Sequence, residues 1–273
     1  MKNITKSFLD YFDMVPATTD ALKDAVYRLR YQVFCLEAGV FDAKQYPDGL
    51  EKDEYDAHSR HYLIRHRKTG IYAATTRLIL RDPKDVARPF PIERYCRFDR
   101  PDLLDKIPRD RMAEVSRFCV SRYFKRRPGE PGTVTGISVE KRLRQLVSED
   151  ERRTWPHLTL ALIACLHKIN VTHNTTHWYA MIEPSLFRLL GLLGIEFTPI
   201  GPLTECYGKR QPCIIKVPEY LDRVKKKNRH IWDMLTDYGR FWRDSGESDA
   251  RPPSANTVGS SLGITIRGAS GTR

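Results

Sequence analysis

The sequence has no long hydrophobic run. Its longest apolar stretch, from Leu158 to Leu166, falls well short of the ~18 consecutive apolar residues that a membrane-spanning helix needs. The opening residues, Met1-Lys-Asn-Ile-Thr-Lys6, are not followed by the apolar core of a signal peptide. We therefore predict no transmembrane segment and a cytoplasmic location.

Paired cysteines and metal-binding spacings are also missing. The six cysteines are scattered and form no Cys-x-x-Cys pair, which favours reduced, mostly buried thiols over a disulfide framework. The eight histidines follow no metal-ligand spacing. Structural metal sites depend on such spacings, so we predict no metal site.

Acidic residues are fewer than basic ones, 34 against 46, which gives a formal net charge of +12 and a pI of about 9.5. Such a balance often indicates nucleic-acid binding, but the sequence has no zinc-finger spacing and no alternation of aromatic and basic residues. We therefore expect no nucleic-acid partner, and either a solvated basic surface or an acidic protein partner. The densest basic segments are residues 122–127, 141–144 and 223–229.

Charged residues inside apolar segments are the most informative feature that is present. They occur in four places: the phrase Leu29-Arg-Tyr-Gln-Val-Phe34, the phrase Asp53-Glu-Tyr-Asp56, Arg77, and the phrase Glu114-Val-Ser-Arg-Phe118. A buried charge is costly unless it is paired. We therefore predict one network of arginines and carboxylates, lining a cleft that can hold a charged amine and move a proton.

The apolar periodicity predicts an α/β protein. Strands are expected over residues 10–16, 61–66, 71–80, 111–123, 176–182, 195–207 and 211–217, and helices over 19–37, 156–169, 183–193 and 218–242. This order favours one extended sheet with helices on both faces. One domain is expected over residues 1–243, with a charged insertion at about 124–152, and the polar stretch 244–273 is expected to be a disordered tail.

The charged phrases resemble motifs of the acyl-homoserine-lactone (LuxI-type) autoinducer synthases. They also resemble motifs of related N-acyl amino acid synthases and of acyltransferases associated with PEP-CTERM/exosortase systems. The motifs occur in the family's order, and the resemblance covers roughly residues 10–218. It implies a GNAT-like acyltransferase fold, with a central mixed sheet flanked by helices and a ligand cleft between two central strands. The insertion and Gly208-Lys-Arg-Gln-Pro212 are most similar to the exosortase-associated branch.

The resemblance implies transfer of an acyl group from a thioester to an amine. Such an amine is mostly protonated at neutral pH, so a carboxylate near the cleft must take its proton. We assign Glu114 as the first candidate for this base, with Arg117 and Asp53 as the other catalytic residues. A regular strand would place Glu114 and Phe118 on one face and Arg117 and Cys119 on the other. The bulge that the family has in this strand would change that and free a backbone N–H for the thioester carbonyl. The alternative is a structural ion pair between Glu114 and Arg117.

The family motifs assign further residues to substrate binding: Arg30, Phe34, Phe41, Asp56, Arg77, Phe118 and Cys119. Asp53 and Asp56 would either orient a positively charged acceptor or clamp Arg30 and Arg77. Arg30 is equally well explained as a structural clamp. The two phenylalanines Phe34 and Phe41 would line the pocket or pack in the core. Cys119 is interpreted as a buried thiol at the site, not as a covalent nucleophile.

The chain departs from the family in two ways. Autoinducer synthases usually have a tryptophan seven residues after the motif phenylalanine, where this chain has Phe41, which argues against an S-adenosylmethionine site. The chain also lacks the Gln/Arg-x-x-Gly-x-Gly phosphate loop of coenzyme A-using GNAT enzymes. An acyl carrier protein thioester is therefore the expected donor, with no bound cofactor.

Two classes of function are consistent with these features. The first is an N-acyltransferase that moves a fatty acyl group from an acyl carrier protein to the amine of an amino acid or similar small molecule. Acyl-homoserine-lactone synthesis is the alternative within that class. The second class is a non-catalytic GNAT-like protein that binds an acyl ligand or nucleic acid.

Overall fold

An open mixed sheet forms the centre of the protein. The computed structural model describes residues 4–124 and 157–242. Its strands are β1 (Phe12–Pro16), β2 (Ser59–His66), β3 (Tyr72–Ile79), β4 (Met112–Val120), β5 (His177–Ile182), β6 (Thr198–Pro199), β7 (Thr204–Glu205) and β8 (Lys209–Lys216). Their order in the sheet is β1-β2-β3-β4-β5-β8-β6, and β7 also pairs with β8. The predicted α/β class and mixed sheet are confirmed. The predicted insertion, apart from Phe124, and the predicted tail lie outside the described residues.

Helices cover both faces of this sheet. They are α1 (Ile4–Tyr11), α2 (Asp20–Arg30), α3 (Pro91–Tyr95), α4 (Pro101–Leu104), α5 (Leu158–His173), α6 (Pro184–Leu192), α7 (Val217–Lys227) and α8 (Arg229–Thr236). On one face, α1, α5, α7 and α8 share a large apolar core with Leu78 and Trp178. On the other face, α2 packs near Leu63, and the connection between β3 and β4 packs on Ile79 and Tyr179. Burial on both faces explains why the central strands are apolar along most of their length.

The two central strands β4 and β5 separate part-way along their length. Their parallel pairing ends at Val115 and Ala180. Beyond that point β5 continues against β8 to Ile182, and β4 continues against β3 to Val120. The divergence leaves an opening in the middle of the sheet, where backbone groups without a strand partner can bind a ligand.

A β-bulge interrupts β4 beside this opening. Between the pairs Thr75–Cys119 and Arg77–Ser116, β4 has one residue more than β3. Arg117 lies in this stretch with a φ of 49°, in the left-handed region. That conformation is costly for a residue other than glycine and persists only where the surroundings hold it.

Because of the bulge, the last residues of β4 point to the opposite faces from those predicted for a regular strand. Phe118 was expected on the face of Glu114, and Cys119 on the opposite face. Instead, Phe118 packs against the core that contains α5, whereas Cys119 joins the core under α2. The physical reason is the extra residue, which inverts the alternation of every side chain that follows it.

The helix that contains Arg30 ends in wide π-helical turns over Tyr31–Glu37, where a regular helix was expected. The amides of Val40 and Phe41 both donate to the carbonyl oxygen of Phe34. The chain therefore turns back on itself and brings the rings of Phe34 and Phe41 to a centroid distance of 5.6 Å. Such π turns occur frequently at functional sites.

Two predicted elements differ from the structure, and one helix of the structure was not predicted. α1 was not expected; it is held by Phe8, which is fully buried and stacks on Phe12. The helix predicted over 218–242 is two helices, because the extended backbone of Asn228 ends α7 and its side chain accepts the amide of Ile231 to begin α8. The strand predicted over 195–207 consists only of the short β6 and β7.

The cysteines are all free thiols, four of them buried. In residues 4–124 and 157–242, no helix is long and apolar enough to cross a membrane. Over the same two ranges, no cluster of three or more His, Cys, Asp or Glu side chains is arranged to hold a metal ion.

A close backbone approach at Gly201 gives a test of the fold. A Cβ there would lie 2.1 Å from the carbonyl oxygen of Arg97, so we expect Gly201→Ala to lower the free energy of unfolding by ~1–3 kcal/mol through overpacking. Gly191→Ala is the control: a Cβ meets open space in α6, and alanine favours a helix by up to ~1 kcal/mol. Urea denaturation measures both, and equal stability of the two variants would contradict the packing described.

Candidate active site

An ion network of six side chains lies beside the bulge. α2, β3 and β4 each supply one arginine, and the connection between α2 and β2 supplies three carboxylates. The members are Arg30, Arg77, Arg117, Glu51, Asp53 and Asp56. The attraction between opposite charges at hydrogen-bond distance offsets part of the cost of removing each from water, and leaving any one of them unpaired would be costly.

The inner end of the network is fully buried. Arg30 and Glu51 are both 0% exposed and contact each other, and Nη1 of Arg30 lies 2.8 Å from Oδ1 of Asp56. Nη1 of Arg77 lies 2.7 Å from the same oxygen. Burial acts to raise the pKa of Asp56, but Arg30 and Arg77 outweigh it and hold that pKa below its usual range. Arg30 and Arg117 lower the pKa of Glu51 against the same effect of burial, so these carboxylates stay ionised.

A short 3₁₀ turn over Glu54–His58 positions the two aspartates. Oδ1 of Asp53 accepts the amide of Tyr55 at 2.9 Å, and Oδ2 of Asp56 accepts the amide of Asp53 at 2.8 Å. This reciprocal capping fixes both carboxylates relative to the backbone. The spacing of Asp53-Glu-Tyr-Asp56 therefore has a local structural cause as well as its role in the network.

The outer end of the network faces a cavity. Nη2 of Arg117 lies 2.9 Å from Oε1 of Glu51 and 2.9 Å from Oδ2 of Asp53. The side chains of Arg117 and Asp53 are 21% and 25% exposed. The guanidinium of Arg117 also lies over the ring of Phe41, 4.9 Å from its centroid. These contacts hold the strained backbone of Arg117 in place.

Burial acts to raise the pKa of Asp53, but Arg77 and Arg117 lower it below its usual range.

Glu114 differs from the network carboxylates in its protonation. It is 3% exposed, and its Oε2 accepts the amide of Ile92 at 3.0 Å. Burial raises the pKa of Glu114 to about 8, although the Ile92 amide and Arg77 act to lower it. Glu114 is therefore mostly protonated at neutral pH and changes charge near it, as a proton-transfer group must. The structural alternative, an ion pair with Arg117, does not form because the network carboxylates engage that arginine.

A cavity of about 470 Å³ connects this site with the opening between β4 and β5. Its wall includes residues from both faces of the sheet. On the side of the network these are Asp53, Arg77, Glu114, Ser116, Arg117 and Arg210; on the side of α5 and α6 they include Ile163, Leu166, Trp178, Leu186, Leu190 and Phe197. One cavity therefore joins a charged region to an apolar pocket, with a volume typical of small-molecule sites.

The structure separates the predicted site residues into two groups. Those that line the cavity are Asp53, Glu114, Arg117, Phe34, Phe41, Arg77 and Phe118. Arg30 and Asp56 lie behind the cavity wall, because the inner end of the network is sealed from it. Cys119 points away into the core under α2, because the bulge inverts the strand. The catalytic and binding roles assigned to these residues stay predictions.

Sequence reasoning missed three residues of the site. Glu51 is the third carboxylate of the network, and a charge count could have found it, because three arginines faced only two aspartates in that loop. Ser116 lies inside a motif already identified, and its hydroxyl accepts Nε of Arg77 at 2.9 Å. Arg210 lines the cavity from β8, far along the chain from the other charged groups.

Known proteins share this architecture. Residues 29–133 match the family described as the acetyltransferase (GNAT) domain. Two structures of the acyl-homoserine lactone synthase BjaI, described as coenzyme A-dependent, match over 85% of this chain and 89% of theirs. The one with S-adenosylmethionine and isopentyl-CoA is 18% identical with a TM-score of 0.51, and the one with MTA is 17% identical with a TM-score of 0.52.

A third structure is FeeM, an N-acyl amino acid synthase from uncultured soil microbes. It is 14% identical, with a TM-score of 0.46, over 78% of this chain and 94% of its own. No curated protein matches the chain in sequence. The chain has the GNAT-like fold, a mixed sheet flanked by helices, that BjaI also has, which confirms the predicted fold class. Its association with an exosortase system stays a prediction.

The buried end of the network predicts a large effect on stability. Arg30→Gln leaves the buried carboxylates of Glu51 and Asp56 short of a counter-charge, so we expect the free energy of unfolding to fall by about 3 kcal/mol or more. Arg65→Gln is the matched control, because Arg65 is half-exposed in its pair with Asp13 and such pairs contribute only ~0–1 kcal/mol. Chemical denaturation compares the two, and equal losses would show that the inner network is not the constraint described.

The raised pKa of Glu114 predicts a pH dependence of stability. Because the ordinary pKa is 4.5 and the folded-state pKa is about 8, the unfolded chain releases this proton first as the pH rises. The stabilisation that the proton provides is complete below pH ~4.5 and is lost by pH ~8, at up to ~1.4 kcal/mol per pH unit. Wild type should therefore lose stability relative to Glu114→Gln between pH 5 and pH 8. Parallel stability curves for the two proteins would rule out a buried, protonated Glu114.

Proposed function

We propose that this protein is an N-acyltransferase that moves a fatty acyl group from an acyl carrier protein thioester to the amine of an amino acid or similar small molecule. One observation carries the proposal: a single cavity joins the charged site to an apolar pocket through the opening in the sheet. Transfer of an acyl chain from water to the apolar side lowers the free energy, and on the charged side the partly exposed carboxylate of Asp53 can accept hydrogen bonds from an ammonium group. The opening between the strands is where the two substrates would meet.

Glu114 is the proposed base. Glu114 in its ionised form accepts a proton from the ammonium group, and the neutral nitrogen then attacks the thioester carbonyl carbon. As the C–S bond breaks, the nitrogen gives its second proton to the leaving sulfur, and Glu114 later releases its proton to solvent, so that thioester and ammonium yield amide, thiol and one proton. The part of β4 beyond Val115 faces the opening without a pairing to β5, and its backbone N–H groups are suited to polarise the carbonyl oxygen. Asp53, which Arg77 and Arg117 keep ionised, would hold the incoming ammonium.

An acyl carrier protein is the proposed donor. The formal net charge of +12 favours an acidic protein partner through long-range attraction. Near the apolar pocket, α6 exposes Leu189 and Leu192 and carries Arg188 beside them, a combination that suits a partner with acidic and apolar contacts. Free coenzyme A is the alternative donor, because BjaI is described as coenzyme A-dependent. The proposal also places the reaction in the cytoplasm.

Acyl-homoserine-lactone synthesis is the second candidate function. It is favoured by the likeness in fold to BjaI, which was solved with S-adenosylmethionine and isopentyl-CoA. In that reaction the amine would be that of S-adenosylmethionine. Phe41, which stands where autoinducer synthases usually have a tryptophan, is the feature that favours an amino acid instead.

The proposed function is tested by thiol release. Purified protein is offered acyl thioesters of acyl carrier protein and of coenzyme A over a range of chain lengths, with the common amino acids or S-adenosylmethionine as acceptors. Mass spectrometry identifies the products. An N-acyl amino acid that forms only with both substrates supports the proposal, and an acyl-homoserine lactone supports the second candidate. Folded protein that releases no thiol from any donor would refute both.

The assigned base gives a kinetic prediction. Glu114→Gln removes the group that accepts the proton, so kcat at pH 7 should fall by ~10²- to 10⁴-fold, while the wild-type rate should rise with pH towards about 8. The control is Glu54→Gln, the same substitution at the cavity edge, where the carboxylate pairs with the surface residues Arg88 and Arg94; its kcat should change little. If Glu114→Gln stayed folded and kept the wild-type rate and pH profile, another group would be the base.

A further inference from the structure

Arg210 lines the cavity, and among the described residues no carboxylate pairs with its side chain. The other two arginines of the described wall are neutralised, since Arg77 pairs with Asp53, and Arg117 with both Glu51 and Asp53. The side chain of Arg210 donates one hydrogen bond, from Nη1 to the backbone carbonyl oxygen of Lys209 at 3.3 Å. Its charge is therefore available to an anionic group inside the cavity.

A tight turn holds Arg210 at the charged side of the cavity. Arg210 pairs with Thr204 in the hairpin of β7 and β8. The turn between these strands contains Tyr207 and Gly208, with φ angles of 54° and 90°, as tight hairpin turns require. The ring of Tyr207 packs edge-on against Phe41 at a centroid distance of 4.8 Å. The hairpin is thus anchored to the same aromatic ring that covers Arg117.

The thiol of Cys206 shows that Arg210 and the ion network act on one region. Cys206 lies in the cavity wall. Burial raises the pKa of this thiol, Arg210 and Arg117 act to lower it, and Glu114 acts to raise it. Arg210, the ion network and the proposed base therefore lie within electrostatic reach of the same wall residue.

We propose that Arg210 binds the carboxylate of the acceptor, so that the acceptor is a free α-amino acid and not a simple amine. This inference rests on the proposed function and names its substrate class. The charged side of the cavity presents a cation at Arg210 and acidic groups at Asp53 and Glu114, which is the complement of a zwitterion. Guanidinium and carboxylate form strong, paired hydrogen bonds, which would orient the amine towards the base.

The structure also explains why a simple amine would bind less well. Without the acceptor carboxylate, Arg210 would lose water to the bound substrates and would gain no counter-charge. Leaving a charged group unpaired in this way is penalised more than the loss of an ordinary contact. Discrimination between an amino acid and its decarboxylated amine should therefore depend on this one side chain.

The test compares acceptors that differ only in the carboxylate. After a screen of the common amino acids, steady-state kinetics would use pairs such as tyrosine with tyramine and leucine with isoamylamine. Arg210→Gln should raise KM for the amino acid about 10- to 100-fold, with a much smaller change for the amine. Arg210→Lys should restore part of the loss. Lys209→Gln, which removes the same charge from the exposed neighbour, should leave the KM for the amino acid and the KM for the amine close to their wild-type values.

Two kinetic outcomes would overturn the inference. A higher KM for the thioester, with an unchanged KM for the amino acid, would assign Arg210 to a phosphate of the donor. Equal effects on the amino acid and its amine would show that Arg210 does not bind the carboxylate.

Calorimetry of the same amino acids without any thioester separates this inference from the proposed function. Binding that is lost in Arg210→Gln would support the inference even if wild type released no thiol. Binding that is equal in the two proteins, or absent from both, would refute it.

Discussion

The buried contact between Arg30 and Glu51 is the interaction on which the site depends. Neither group reaches water, so each requires the other, and together they connect α2 to the loop that carries Asp53 and Asp56. Because isolated charges in the interior are so unfavourable, the network has few alternative arrangements. Arg30, Glu51 and Asp56 act as a support, and the other three members, Asp53, Arg77 and Arg117, line the cavity.

The bulge in β4 and the separation of β4 from β5 act together. The separation opens the sheet, and the bulge turns Arg117 towards the network while Phe118 turns to the apolar side. A regular strand would point Ser116 and Arg117 to opposite faces, whereas the extra residue lets both face the network, Ser116 against Arg77 and Arg117 against Glu51 and Asp53. The left-handed backbone of Arg117 is therefore linked to the geometry of the site, since strain of this kind persists where surrounding contacts hold it.

Carboxyl groups of the same site are held in opposite protonation states. Asp53 lies between two guanidinium groups, which keep it ionised, whereas Glu114 has a backbone amide as its hydrogen-bond partner and holds its proton to about pH 8. Such a contrast lets one group attract an ammonium while the other exchanges a proton. Arg210 completes the arrangement with a positive charge that the described carboxylates leave unpaired.

Sequence patterns were enough to predict the α/β class, the approximate position of the central strands and helices, and the pairing of buried arginines with carboxylates, because apolar periodicity and the cost of unpaired charge can be recognised in the chain without its fold. Which charged residues reach the cavity depends on the folded chain. Arg30 and Asp56 look equivalent to Arg77 and Asp53 in the sequence, yet they lie on the sealed side of the network. The bulge, the π turns after Arg30, and the contributions of Glu51 and Arg210 likewise depend on contacts between residues far apart in the chain, which no local pattern records.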